Sequence, residues 1–125
     1  FEKDKTQLYH FPASLTLNQW ALSGLWKIEG EKALSQGNEC ALKFHFKAKK
    51  VFLVMGSKAN HPIFVNILLN NQPVTKESGI DVIDSRIQVN EYRLYELISQ
   101  PVNSQGMLEI RVNDSNLEIY AFTFG

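Results

Sequence analysis

Residues 40–47 read CALKFHFK, and their alternation decides the fold. Cys40, Leu42, Phe44 and Phe46 fall on one side of an extended chain, and Lys43, His45 and Lys47 on the other. A period of two puts the first set on a core and the second in water, which predicts a half-buried β-strand. The same reading extends in both directions. KAKK turns the chain into VFLVMG (51–56), a continuous apolar run closed by Gly56. IFVNILL (63–69) follows Pro62 and ends at NNQP, a hairpin signal because Asn tolerates left-handed backbone angles. RIQV (86–89), RLYELI (93–98), MLEIRV (107–112) and LEIYAFTFG (117–125) come next, the last three separated by Gly106 and the NDSN turn at 113–116. Upstream, LYHF (8–11) and WALSGLWKI (20–28) predict two more strands, the second bent at Gly24. About eight short strands with turns at regular spacing predict an all-β antiparallel sandwich or barrel. Only 94–100 competes as a helix, and Tyr92 and Pro101 leave it too short.

The final strand is apolar on both faces. Leu117, Ile119 and Ala121 share one side; Tyr120, Phe122 and Phe124 share the other with Glu118. Such a strand is expected to be central, paired on both edges, with its aromatic face in the core. Its second face needs cover, either from the chain's own loops or from a partner domain.

The chain has 125 residues, enough for one domain. Lys plus Arg and Asp plus Glu number 13 each, so the net charge is zero. That balance argues against a nucleic-acid or anionic-membrane binder, which needs excess Lys and Arg facing phosphate. No apolar run approaches the ~20 residues of a membrane-spanning helix. Phe1 stands where Met would open a reading frame, which suggests a piece of a longer protein. Cys40 is the single cysteine, so the chain alone holds no disulfide, Cys-x-x-Cys pair or Cys-rich zinc site.

Familiar catalytic arrangements are missing. Cys40 and His45 lie on opposite faces of one strand, and Cys40 reads as a small core residue. No Ser sits in a Gly-x-Ser-x-Gly elbow, and His10, His45 and His61 share no metal-ligand spacing. Glu29 and Glu31 could span a glycosidic bond if extended, but they flank Gly30 in a polar turn where neither would be desolvated. Lys43, Lys47, Lys49 and Lys50 form a basic patch that solvates a sheet face. Asp81 and Asp84 share a loop, but two acids fall short of a calcium shell, and no metal is expected. Two features can carry binding. Trp20, Trp26, Tyr92 and Tyr95 lie near turns, where aromatic rings serve as stacking platforms; core packing is the competing reading, strongest for the tryptophans. Asp81 with Arg93 can either lock a loop or grip hydroxyls bidentately.

WALSGLW (20–26), FHFKAKKVFLVMG (44–56), GIDV (79–82), RLYELI (93–98) and LEIYAFTFG (117–125) occur in an order that resembles the C-terminal domain of DipZ-type proteins, over about residues 15–125. In that family a membrane segment or simpler anchor precedes a thioredoxin-like domain, and this module comes last. The resemblance implies a jelly-roll β-sandwich similar to carbohydrate-binding modules, located in an extracytoplasmic (periplasmic) compartment. Residues 1–14 would be the lead-in from the thioredoxin-like domain, which would also be the partner. Trp20, Gly24, Trp26, Gly79, Asp81, Arg93 and Tyr95 match the family's marked positions. DSRIQVNEYRLY (84–95) departs from the family's Gly-containing turn before RLY. The expectation is a non-catalytic, cofactor-free module that binds glycan through Trp20, Trp26, Asp81, Arg93 and Tyr95. The alternative is a protein-interaction domain docking on its own thioredoxin domain or on a redox client. A glycosidase using Glu29 and Glu31 ranks third.

Overall fold

A computed structural model describes residues 4–125. Nine strands follow one another: β1 (Thr6–Tyr9), β2 (Trp20–Glu29), β3 (Lys32–Ser35), β4 (Cys40–Ser57), β5 (Ile63–Leu69), β6 (Gln72–Pro73), β7 (Arg86–Val89), β8 (Arg93–Val112) and β9 (Leu117–Phe124). Every pairing is antiparallel. The expected all-β antiparallel β-sandwich is the observed fold.

Two long strands build both layers. β4 has 18 residues and β8 has 20, and they pair with each other from Cys40↔Val112 to Met55↔Arg93. The first half of β4 is flanked by β2 and the second by β9. β5 joins the C-terminal half of β8, and β7 and β6 pair with β5. A bent pair shared by two layers is how sheets turn a corner through bulges. The KAKK turn and the Gly106 break expected from sequence are therefore corrected: the chain bends there without leaving the ladder. The ladder steps from Ala48↔Ser104 to Lys50↔Ser99, so the extra residues of β8, Pro101 and exposed Val102 among them, bulge outward. Proline is tolerated in such a bulge because no ladder hydrogen bond is asked of it.

β2 also changes partner along its length. Trp20–Ser23 pair with β4, and Trp26–Glu29 pair with β3. Between them Gly24 has φ +95°, and an added Cβ would lie 2.9 Å from the Glu39 carbonyl; only glycine fits this expected bend. β3, absent from the sequence-based reading, pairs with β9, and β9 with β4. The circuit β2–β4–β9–β3–β2 is thus closed. β1 pairs with β2 from Thr6↔Lys27 to Tyr9↔Gly24, so part of the expected 1–14 lead-in belongs to the sheet; its residues 1–3 lie outside the described residues.

The core contains the faces that the alternation predicts, with Leu22, Cys40, Leu42, Phe46, Leu53, Ile67, Leu108 and Ile110 essentially buried. β9 is paired on both edges, as expected, but its core face is not the aromatic one. Leu117 and Ile119 are buried, while Tyr120 and Phe122 are half-buried and Phe124 is exposed. The reason is a bulge: between Leu53↔Phe122 and Met55↔Ile119, β9 advances three residues while β4 advances two. The slip reverses which side the later residues face, and Phe122 comes to pack against the same core as Ile119.

Candidate functional site

Four of the five residues expected to contact ligand are engaged with the protein itself or buried outright. Trp26 is 0% exposed and donates its indole N–H to the Ser23 carbonyl at 2.9 Å. Tyr95 is 1% exposed, and its hydroxyl donates to the Glu91 carbonyl at 2.8 Å. Neither ring can stack on a sugar, which corrects both expectations. Each side chain points inward by alternation, and its one polar atom finds a backbone partner, as buried Trp and Tyr require.

Arg93 lies with its guanidinium 3.9 Å from the centre of the Tyr95 ring. Its Nη2 donates to Asp81 Oδ1 at 3.0 Å, and Nη1 donates to the Leu94 carbonyl at 2.9 Å. Asp81 Oδ2 accepts the Glu96 backbone N–H at 2.7 Å. The Ile80 N–H donates to the Glu96 carboxylate at 2.7 Å, and the Gly79 N–H donates to the Leu97 carbonyl at 3.0 Å. The ion pair with Asp81 raises the Arg93 pKa above its ordinary value. Of the two readings for this pair, the geometry is that of a clamp fastening the 79–82 loop to β8. Gly79 sits so close that an added Cβ would lie 2.3 Å from the Glu96 carbonyl.

Trp20 is placed differently. It shares the inward face of β2 with Leu22 but stands at the open end, 41% exposed, opposite Phe44 in register. There it lines a cleft of about 380 Å³ together with Ile28, Phe44, Phe122 and Phe124, with Glu31 and Lys32 at the polar margin. Phe44 stacks on Phe122 with centroids 4.6 Å apart and on Phe124 at 5.6 Å. Phe44, Phe122 and Phe124 were missed as site residues; the doubly apolar final strand was their only signal, and the bulge turns that strand into a cleft wall.

Glu29 does not suit acid catalysis. Glu29 contacts Lys27 at 3.1 Å, Lys58 at 3.5 Å and Lys32 at 3.9 Å. The hydrogen bond from Lys27 leads these in holding its pKa below the ordinary carboxylate value, whereas a general acid needs a raised one. Cys40 is buried, its thiol against the carbonyls of Leu25 and Gly37. His45 faces the other way, within hydrogen-bond reach of the Leu15 carbonyl and Gln105.

The family described as "Thioredoxin like C-terminal domain" matches residues 1–125. Protein DipZ of Mycobacterium bovis and that of Mycobacterium tuberculosis are each 25% identical over 119 residues, 94% of this chain. The chain spans 15% of the length of either. Among solved structures, a family two carbohydrate esterase from Cellvibrio japonicus superposes with TM-score 0.70 at 13% identity, over 86% of this chain and 30% of the esterase. The corresponding esterase from Clostridium thermocellum, solved in complex with cellohexaose, gives TM-score 0.60 at 11% identity, over 76% of this chain and 27% of that one. These similarities establish the fold shared with part of each esterase, a sandwich of the carbohydrate-binding-module kind. The chain belongs to the thioredoxin-like C-terminal domain family and is a DipZ-type C-terminal domain.

Proposed function

We propose that this domain is a non-catalytic, carbohydrate-binding-like accessory module of an extracytoplasmic thioredoxin-like, thiol–disulfide exchange protein. The redox chemistry belongs to the upstream thioredoxin-like domain of the full-length protein, since dithiol exchange needs two accessible cysteines and Cys40 is single and buried. Attachment to a membrane, in this reading, also comes from the upstream part. The observation that carries glycan binding is the Trp20 cleft: exposed aromatic rings offer a face to sugar C–H groups, and Glu31 and Lys32 at the margin supply acceptors and donors for hydroxyls. The cellohexaose bound by one fold neighbour supports this ligand class. Glycan-array screening followed by titration calorimetry tests it. Saturable binding that Trp20→Ala weakens is the expected outcome.

A second reading draws on the apolar character of the same cleft. Trp20, Phe122 and Phe124 would then seat an apolar segment of the protein's own thioredoxin domain or of a redox client. Mixing the separately expressed domains and following NMR shifts distinguishes the two; unperturbed spectra exclude docking on the thioredoxin domain.

A further inference from the structure

A polar cleft of about 460 Å³ lies on the outer face of the layer formed by β2, β4, β8 and β5, with Phe11, Ser23, Asn66, Glu109, Arg111 and Asn113 in its lining. The strand register builds its floor. Ser23 pairs with Ala41, Ala41 with Arg111, and Arg111 with Asn66, so one row of side chains crosses four strands on the side opposite Leu42 and Ile110. In the adjacent row Lys43 pairs with Glu109. Ala41 is the small residue in the row, and its methyl leaves the depression between Ser23 and Arg111. Phe11 closes one margin, with the Lys43 ammonium 4.8 Å from its ring centre.

Glu109 sets the chemistry. Its side chain is 6% exposed, although it stands on an outer sheet face. Burying a carboxylate there is costly unless it is paired, and it accepts the Arg111 Nε–H at 2.5 Å, with Lys43 Nζ 3.9 Å away. The contact runs through Nε, which leaves the terminal guanidinium nitrogens as donors on a side chain that is 55% exposed. Arg111 is thereby steered by Glu109 and lines the cleft together with its exposed register partner Asn66. Charge is balanced locally: Glu109 and Glu39 offset Arg111 and Lys43. In a cleft whose formal charges cancel, the fork, the amide and the aromatic margin can serve a neutral ligand that carries hydroxyl groups.

We propose that this cleft is a second sugar subsite, in which Arg111, aimed by Glu109, and Asn66 grip adjacent hydroxyls of a neutral pyranose ring whose C–H face rests against Phe11. The inference rests on the glycan-binding reading and adds a place on the molecule separate from the Trp20 cleft. The test is an NMR titration of the full 125-residue chain with neutral β-1,4-glucan, β-1,4-mannan and α-1,4-glucan oligosaccharides. The signals followed are Arg111 Nε–H, the side-chain amides of Asn66 and Asn113, and the Trp20 indole. Saturable shifts at Arg111 and Asn66 are expected, with binding at this cleft weakened about tenfold in Arg111→Gln. Arg111→Lys is expected not to rescue it, because an ammonium lacks the planar fork. Glu109→Gln, checked for folding by thermal denaturation, should weaken it as well by leaving Arg111 unaimed. Shifts confined to the Trp20 indole would overturn this inference and leave the glycan reading standing. No shifts anywhere would overturn both.

Discussion

Two tryptophans six positions apart on β2 point to the same side and serve different ends. Trp26 lies between β1 and β3 in the sheet, with its side chain buried and its N–H satisfied; Trp20 lines a cleft at the start of the strand. Trp26→Ala should cost about 3–5 kcal/mol in urea unfolding, the range for emptying a buried aromatic site. Trp20→Ala should cost about 1 kcal/mol or less yet reduce glycan affinity. Gly79→Ala forces a carbon onto the β8 backbone and should cost about 2–3 kcal/mol, read as a drop in melting temperature. The sequence marked both tryptophans as aromatic and near turns, and it could not separate them. Whether a side chain stands at the middle or the end of a layer depends on which strands extend beyond it, and β3, which pairs beside Trp26, was too short to announce itself.

At the scale of elements, the 79–82 loop, β8 and β9 carry the testable consequences. Asp81→Ala should destabilise by about 2 kcal/mol, because it strips the Glu96 N–H of its acceptor as well as ending the ion pair. Arg93→Ala should cost about 1 kcal/mol or less, since that half of the clamp is substantially exposed; chemical denaturation of the two variants checks the order. Lys32 joins β3 to β9 through Glu118, and that hydrogen bond raises its pKa above 10.5. Tyr120 is raised above 10.0, first by burial and then by Glu118. Both groups hold their protons more tightly folded than unfolded, so their stabilisation is complete below pH 10.0 and is lost as pH rises through the raised values. Melting temperature should therefore fall on the alkaline side, and less steeply in Tyr120→Phe. The alternation of 40–47 made β4 legible, but its full length was not. Residues 47–50 look like a turn when only composition is read, whereas the ladder with β8 continues through them on bulges. The bulge in β9 is equally silent in sequence, because one extra residue leaves no compositional trace.

At the scale of the whole molecule, the closed circuit of strands and the inward faces along β4, β5 and β8 make a rigid platform. The sandwich was legible because period-two patterning depends only on local sequence. Of the five expected contacts, Trp20 lines the aromatic cleft, the Asp81–Arg93 pair forms a clamp, and Trp26 and Tyr95 lie in the core. Clefts are assembled from strands far apart in the chain, such as β2, β4 and β9 around Trp20, and no spacing within one segment encodes that meeting. On the proposed function, this platform holds a sugar and does no chemistry of its own. Titration calorimetry of array-selected oligosaccharides into the wild-type domain and into Trp20→Ala tests it most directly. Saturating heat from the wild type, with affinity reduced at least about tenfold in the folded variant, is the predicted result. Absence of heat from the wild type at millimolar oligosaccharide, or hydrolysis of the sugar during the titration, would contradict it.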